Sequence, residues 1–454
     1  MSDRSTVRDP QSLRWRDRFI LRFVRFSVFF LYEKVEVYVP DMEWSDDERV
    51  LAVSNHFGGF ADPFLLMSAF PVVPRIIARD KIWKVPVAGW IMKWIGAIPV
   101  HKPKEQKGPT SNKEMFRSCY SALADGDVLL IFPEGITRED PSIAPVKTGA
   151  ARIALGAREE GTSGIKIVPI GIHYEDKAAL RSKVFINAGV PIDIDAEIDT
   201  LAPNGDATPE NREVVANLTA EIETYLRNVA PDFEDWHEAR TLTIAAETTL
   251  RLEATDPSAD VSISQRDRLA ADLADADPED KAAVMGASQA LRTDLEGVGL
   301  SDAEVHAKMR TGSFLWFLIR TILVLIVAVP LALIGLSVNL IPMLLVWAIN
   351  LVPVGPAVKA TAKPAGAILF FGISWGIALW QAFERGLIYG LLAIVLLPVS
   401  LGALIYSTER LVQMWRALRR WVRNRRIDKV GDEITEKREA VRASVRAAVP
   451  EGDE

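Results

Sequence analysis

At 454 residues the chain has room for about two or three domains, and a formal charge of −7 with 49% hydrophobic residues points to neither a nucleic-acid partner nor an acidic one. Cys119 is the only cysteine, which excludes an internal disulfide and suits a cytosolic setting for the soluble part. His56, His101, His173, His237 and His306 show no HxxxH or Cys/His spacing, so no metal site is expected.

The first 25 residues hold seven arginines against three aspartates. Arg14, Arg16, Arg18, Arg22 and Arg25 interleave with Trp15, Phe19, Ile20, Phe23, Val24 and Phe26. So many arginines make a poor spanning helix, and the stretch 1–33 reads as an amphipathic helix on a membrane surface. A helix packed on the following domain fits equally, because arginine stems also cover apolar protein surface. No small-residue cleavage site follows, so a secretory signal is not expected.

Residues 34–195 read as an α/β domain with a mostly parallel sheet. Short apolar runs at Lys34 to Val39, Arg49 to Ser54, Arg75 to Ala78, Ala97 to His101, Asp127 to Phe132, Ile165 to His173 and Lys183 to Ala188 predict strands. Helical patterns at Phe64 to Ala69, Lys84 to Trp94, Ser111 to Leu123 and Thr148 to Glu159 lie between several of them. In such sheets the site forms in loops at the carboxyl ends of strands.

One of those ends carries Asn55-His56, a two-glycine turn, and Asp62-Pro63 opening a helix. A neutral histidine becomes a base for a hydroxyl proton when a carboxylate holds its other ring nitrogen. The same letters also suit an ordinary helix cap and a strand-end histidine bonded to backbone. Two further strand ends carry His101-Lys102 and Pro133-Glu134-Gly135-Ile136-Thr137-Arg138, with Lys147-Thr148-Gly149 after a loop. Cations gathered there suit a phosphate or carboxylate, although any single one also suits a solvated rim.

These blocks, in this order, resemble the glycerolipid acyltransferase superfamily from about Phe19 to Ile192. Asn55-His56 to Asp62-Pro63 is similar to its catalytic block, Gly96 to Lys102 to its second, Phe132 to Gly135 with Lys147 to Gly149 to its third, and Val168-Pro169-Ile170 to its fourth. Five residues separate His56 from Asp62 where most of the superfamily has four, as in a branch resembling glycerol-3-phosphate and dihydroxyacetone-phosphate acyltransferases. The usual arginine of the third block falls at Thr137, with Arg138 one position later.

The resemblance implies transfer of a fatty acyl group from acyl-CoA or acyl carrier protein to a hydroxyl of glycerol 3-phosphate or dihydroxyacetone phosphate, in phospholipid biosynthesis. It implies His56 and Asp62 as the catalytic pair and Asn55, Lys102, Glu134, Gly135, Arg138 and Lys147 as substrate-binding residues, with no metal and no cofactor beyond the donor. Glu134 is expected to take a glycerol hydroxyl or to orient a cation, and amides around Phe57 to Gly59 are candidate oxyanion donors. The partners implied are membrane lipid, the thioester and the acceptor. Acylation of lysophosphatidic acid or another lysophospholipid is the nearest alternative; a scaffold or transporter bearing an inactive domain is one of another class.

Residues 196–311 read as an acidic helical region with breaks at Pro231, Pro257, Asp277-Pro278 and Gly297 to Gly299. In 312–409 the charge-free runs Thr321 to Val358, Pro364 to Phe383 and Gly386 to Thr408 predict about four membrane segments in two hairpins, the first turning near Ser337 to Pro342. Shallow re-entrant hairpins are the rival geometry. Lys359, Lys363 and the arginines from Arg410 to Arg426 place those ends in the cytoplasm, and an even number of crossings puts the catalytic domain there too. Residues 410–454 read as a basic, then charged, cytoplasmic tail, with Glu433 to Ala448 a solvated helix.

Overall fold

The computed structural model describes residues 14–40, 48–101, 110–137, 139–203, 205–254, 260–298, 302, 311–427 and 431–450. Two compact units divide the chain: Met1–Glu234 with Pro356–Thr361, and Asp235–Gly355 with Ala362–Glu454.

The first unit is built on a sheet of eight strands: β1 (Lys34–Tyr38), β2 (Arg49–Ser54), β3 (Arg75–Arg79), β4 (Ile98–Val100), β5 (Leu129–Ile131), β6 (Ile165–Tyr174), β7 (Lys183–Ala188) and β8 (Ile192–Asp193). Their order is β1-β7-β6-β2-β5-β3-β4, with β8 beside β6. Every pairing is parallel except those of β6 with β7 and β8. Leu51, Ala52 and Val53 of β2 are fully buried, as a parallel strand covered on both faces should be.

Helices α1 (Trp15–Leu31), α2 (Ala61–Ala69), α3 (Pro86–Trp94), α4 (Thr110–Ala124), α5 (Gly149–Glu159), α6 (Ile194–Leu201) and α7 (Arg212–Arg227) complete this unit. Cys119 and Leu123 of α4, Ile153 and Leu155 of α5, and Leu218 and Ile222 of α7 share one core with β2 and β6. Each fully buried leucine or isoleucine there contributes about 1.5 to 3 kcal/mol. Ile198 and Leu201 of α6 belong to the same core, so it reaches past the boundary expected at 195. On α1, Ile20, Leu21, Val24, Val28 and Leu31 are buried and α1 packs on α2, while Trp15, Phe19, Phe23, Phe26 and Phe29 stay exposed.

The second unit holds α8 (Trp236–Glu253), α9 (Ile263–Ala274), α10 (Pro278–Val298), α11 (Thr311–Ala348), α13 (Leu387–Ile427), α14 (Gly431–Ala448) and all but the first six residues of α12 (Pro356–Glu384). Among the described residues three helices, in α11, α12 and α13, are long and apolar enough to cross a membrane, not the four segments expected. The predicted turn near Ser337 to Pro342 is instead continuous helix in α11. Pro342 has no N–H for the Val338 carbonyl, and the Ser374 hydroxyl of α12 donates to that carbonyl at 2.8 Å. Ser337 and Asn339, turn formers by type, bond back to the carbonyls of Ile334 and Gly335.

The tail helix also departs from expectation. Ile434, Val441 and Val445 of α14 are buried against α8 and α10, not solvated. Arg438 is bonded to Asp302, Lys437 to Asp294 and Arg446 to Glu253, so cations of α14 pair with carboxylates of the acidic helical group.

Candidate active site

The register of the sheet assembles the site. β2 ends at Ser54 level with Ile170, and Val53 sits opposite Ile131, so Asn55-His56 and Phe132 to Gly135 leave the sheet side by side. β6 continues past β2 to Tyr174, carrying that residue over the same end.

His56 Nδ1 lies 2.8 Å from Asp62 Oδ2. Asp62 is fully buried, on the second residue of α2, and its carboxylate turns back toward the strand end. Its oxygens accept from the Gly58 amide at 3.0 and 2.8 Å, and Oδ1 accepts from the Tyr174 hydroxyl at 2.6 Å. A buried carboxylate without such donors would cost several kcal/mol. The capping alternative is therefore displaced: the side chain serves the His56 loop, and Nδ1 facing it leaves Nε2 as the second ring nitrogen. A Cβ on Gly58 would lie 2.5 Å from the Tyr174 hydroxyl oxygen and 2.6 Å from Asp62 Oδ1, so this position needs glycine. The His56 ring stacks on Phe132, centroids 4.3 Å apart.

Burial first, then the Asp62 charge, push the Tyr174 hydroxyl well above its ordinary 10. The Tyr32 hydroxyl is raised by the same two causes in the same order. Both phenols are therefore protonated donors at neutral pH.

Glu134 is buried, and its oxygens accept from the amides of His56 at 2.9 Å and Ala144 at 3.0 Å. Its carboxylate thus braces two loops. The Asn55 amide is fully buried, donating to the Ile172 carbonyl at 3.1 Å and accepting from the Ile172 amide at 2.7 Å. The Gly58 amide, a candidate oxyanion donor, is already engaged by Asp62. Gly135 has φ +65°, and Lys147 Nζ, bonded to the Glu134 carbonyl, packs where a Cβ would project. Lys102 and Arg138 lie outside the described residues.

Three residues near the site were not anticipated. Tyr174 and Lys177 sit in HYEDK, which straddles the end of β6, and their signal was that position at a strand end. Lys177 Nζ lies 5.9 Å from the Phe57 ring centroid, and burial lowers its pKa against the opposing pull of Glu139, Asp62 and Asp140. The hydroxyl of Thr361, far along the chain, accepts the Phe60 amide at 3.2 Å, while Glu139 accepts the Ala357 amide at 3.0 Å. No motif marked Thr361. Among the described residues no group of three or more His, Cys, Asp or Glu is placed to hold a metal.

The Acyltransferase family model matches residues 34–173, which include the His56–Asp62 pair, Glu134 and Lys147. Residues 34–173 are an acyltransferase-family domain. The chain is 33% identical over 127 residues to glycerol-3-phosphate O-acyltransferase 2 of Saccharomyces cerevisiae, covering 27% of this chain and 16% of that protein. It is 30% identical over 126 residues to the chloroplastic 1-acyl-sn-glycerol-3-phosphate acyltransferase BAT2 of Brassica napus, covering 28% and 33%. The similarity thus spans a third or less of either relative's length. The crystal structure of the 1-acyl-sn-glycerophosphate (LPA) acyltransferase PlsC from Thermotoga maritima matches at 18% identity and a TM-score of 0.34, over 48% of this chain and 82% of that one, a likeness that carries no argument here. The acyltransferase domain as matched stops one residue short of Tyr174.

Proposed function

We propose that this chain is a membrane-bound O-acyltransferase that moves a fatty acyl group from acyl-CoA or acyl carrier protein to a hydroxyl of glycerol 3-phosphate or dihydroxyacetone phosphate in phospholipid biosynthesis. The observation that carries it is the 2.8 Å contact between His56 Nδ1 and Asp62 Oδ2 within an acyltransferase-family domain.

In this reading His56 Nε2 takes the proton of the acceptor hydroxyl as that oxygen attacks the thioester carbonyl. Asp62 holds the tautomer and supports the positive imidazolium. The tetrahedral intermediate collapses, the C–S bond breaks, and the thiolate leaves with the proton returned by His56. General-base action of this kind is worth about 10²- to 10⁴-fold. Lys102, Arg138 and Lys147 bind the acceptor phosphate, and Lys177 is a further cation for the same task.

The name of the yeast relative supports a small phosphate acceptor, and that of the Brassica relative supports lysophosphatidic acid as the second reading. A cytoplasmic site is supported by Lys359 and Lys363, which lie in the first turns of α12 beside the Thr361 hydroxyl that holds the His56 loop. Two crossings, α12 and α13, then return the chain to Arg410, Arg416 and Arg419 on the same side. Because α14 packs on α8 and α10, both ends of the apolar region lie on one side, and α11 adds no net crossing to those of α12 and α13.

The test is transfer from labelled palmitoyl-CoA, and then from the carrier-protein thioester, to glycerol 3-phosphate, dihydroxyacetone phosphate and lysophosphatidic acid by wild type and His56→Ala. Transfer to a small phosphate acceptor that vanishes in His56→Ala is expected. Selectivity for the lysolipid would move the assignment to the second reading, and activity surviving in His56→Ala would overturn the mechanism.

A further inference from the structure

Three donors from separate backbone positions surround one buried carboxylate. Tyr174 reaches Asp62 Oδ1 at 2.6 Å, His56 Nδ1 reaches Oδ2 at 2.8 Å, and the Gly58 amide lies within 3.0 Å of both oxygens. A carboxylate turns readily about its terminal torsion unless both oxygens are held. Gly58 bonds both oxygens and therefore cannot by itself say which faces the imidazole; a donor bonded to Oδ1 alone can.

We propose that Tyr174 is a positioning residue for acyl transfer: its hydroxyl fixes the Asp62 carboxylate so that Oδ2 stays on His56 Nδ1, and it draws part of the carboxylate charge away from the imidazole. The proposal rests on the general-base reading of His56. Two other titratable groups face Asp62, Tyr32 after the end of α1 and Lys177 after β6. Glu134 holds the His56 main chain.

The sign follows from electrostatics. With the hydroxyl removed, more of the negative charge faces the imidazole and favours its protonated form, so a rate that needs the free base falls off at higher pH than before. A stronger donor at the same place moves the fall-off the other way.

The full-length protein would be prepared as wild type, as Tyr174→Phe and with 3-fluorotyrosine at 174, which keeps the ring and carries a more acidic hydroxyl. Two quantities would be followed across pH: acyl transfer from palmitoyl-CoA to glycerol 3-phosphate, and modification of His56 by diethyl pyrocarbonate without substrates, read by mass spectrometry. In Tyr174→Phe, kcat should fall about tenfold with the acceptor KM within about twofold. The acidic limb and the modification midpoint should both move up by about half a pH unit, and down with 3-fluorotyrosine. Should Tyr174→Phe fail to fold, the fluorotyrosine protein decides alone. Identical modification midpoints across the folded proteins would overturn the proposal. Shifted midpoints in a protein that transfers no acyl group would keep the contact with His56 and overturn the acyl-transfer reading.

Discussion

The Glu134 carboxylate accepts the main-chain amide of His56 at 2.9 Å across 78 positions of chain. Its other oxygen takes the Ala144 amide. Glutamine can offer an acceptor to only one of these, leaving a buried amide facing an NH₂ group. Glu134→Gln is expected to destabilise the fold by about 1 to 3 kcal/mol and to lower kcat more than it raises the acceptor KM. Urea denaturation and a kcat–KM split check this; a change in the acceptor KM alone would return Glu134 to acceptor binding.

Gly58→Ala places a methyl group 2.5 Å from the Tyr174 hydroxyl oxygen and 2.6 Å from Asp62 Oδ1. Either the tyrosine or the carboxylate must shift, and the His56 contact shifts with it. A loss in kcat of about 10²-fold or more is expected with the protein still folded, measured as acyl transfer alongside the thermal transition. Wild-type kcat in the alanine variant would show that the loop adapts.

Burial pushes the Cys119 thiol up to about 12 from its ordinary 9. Since the thiolate is the nucleophile, maleimide should leave Cys119 unlabelled in native protein at pH 8 and label it after denaturation. The raised value also sets a sign: above pH 9 the unfolded thiol ionises while the folded one stays protonated, so this group's contribution to stability declines as pH rises from 9 toward 12. Native labelling at the unfolded rate would contradict the packing of α4.

Ser374 supplies the donor that Pro342 cannot give to the Val338 carbonyl. Ser374→Ala should weaken the pairing of α11 and α12 by about 1 kcal/mol, read as a lower unfolding midpoint in detergent. Ser374→Thr, which keeps the hydroxyl, should lose less.

Much of the catalytic domain was legible because alternating apolar runs and turn residues are local signals. Strands Arg49–Ser54 and Lys183–Ala188 fall where the pattern put them, and the chain between His56 and Asp62 is short enough that one strand-to-helix turn brings them together. Glu134 and Asn55 were legible as belonging to the site, but their backbone partners were not. A carboxylate beside cations reads as ligand-facing, and only the tertiary structure shows the amides of His56 and Ala144 bonded to it. For α14 the spacing of Ile434, Val441 and Val445 was present, but its many charges hid a face that becomes apolar only once Arg438 is paired with Asp302.

The sequence by itself determined the α/β pattern, the His56–Asp62 pair and the apolar character of the region from Thr321 onward, because each depends on residues close together in the chain. Tertiary structure decided what stands around the pair. Tyr174 reaches Asp62 across 112 positions only because β6 runs on past β2 in a parallel register, and Thr361 meets Phe60 across 301. It also decided the number of apolar helices, since Pro342 interrupts α11 only if nothing answers the carbonyl it leaves free, and Ser374 does. Contacts of that kind depend on strand register and helix pairing, which no local pattern in the chain encodes.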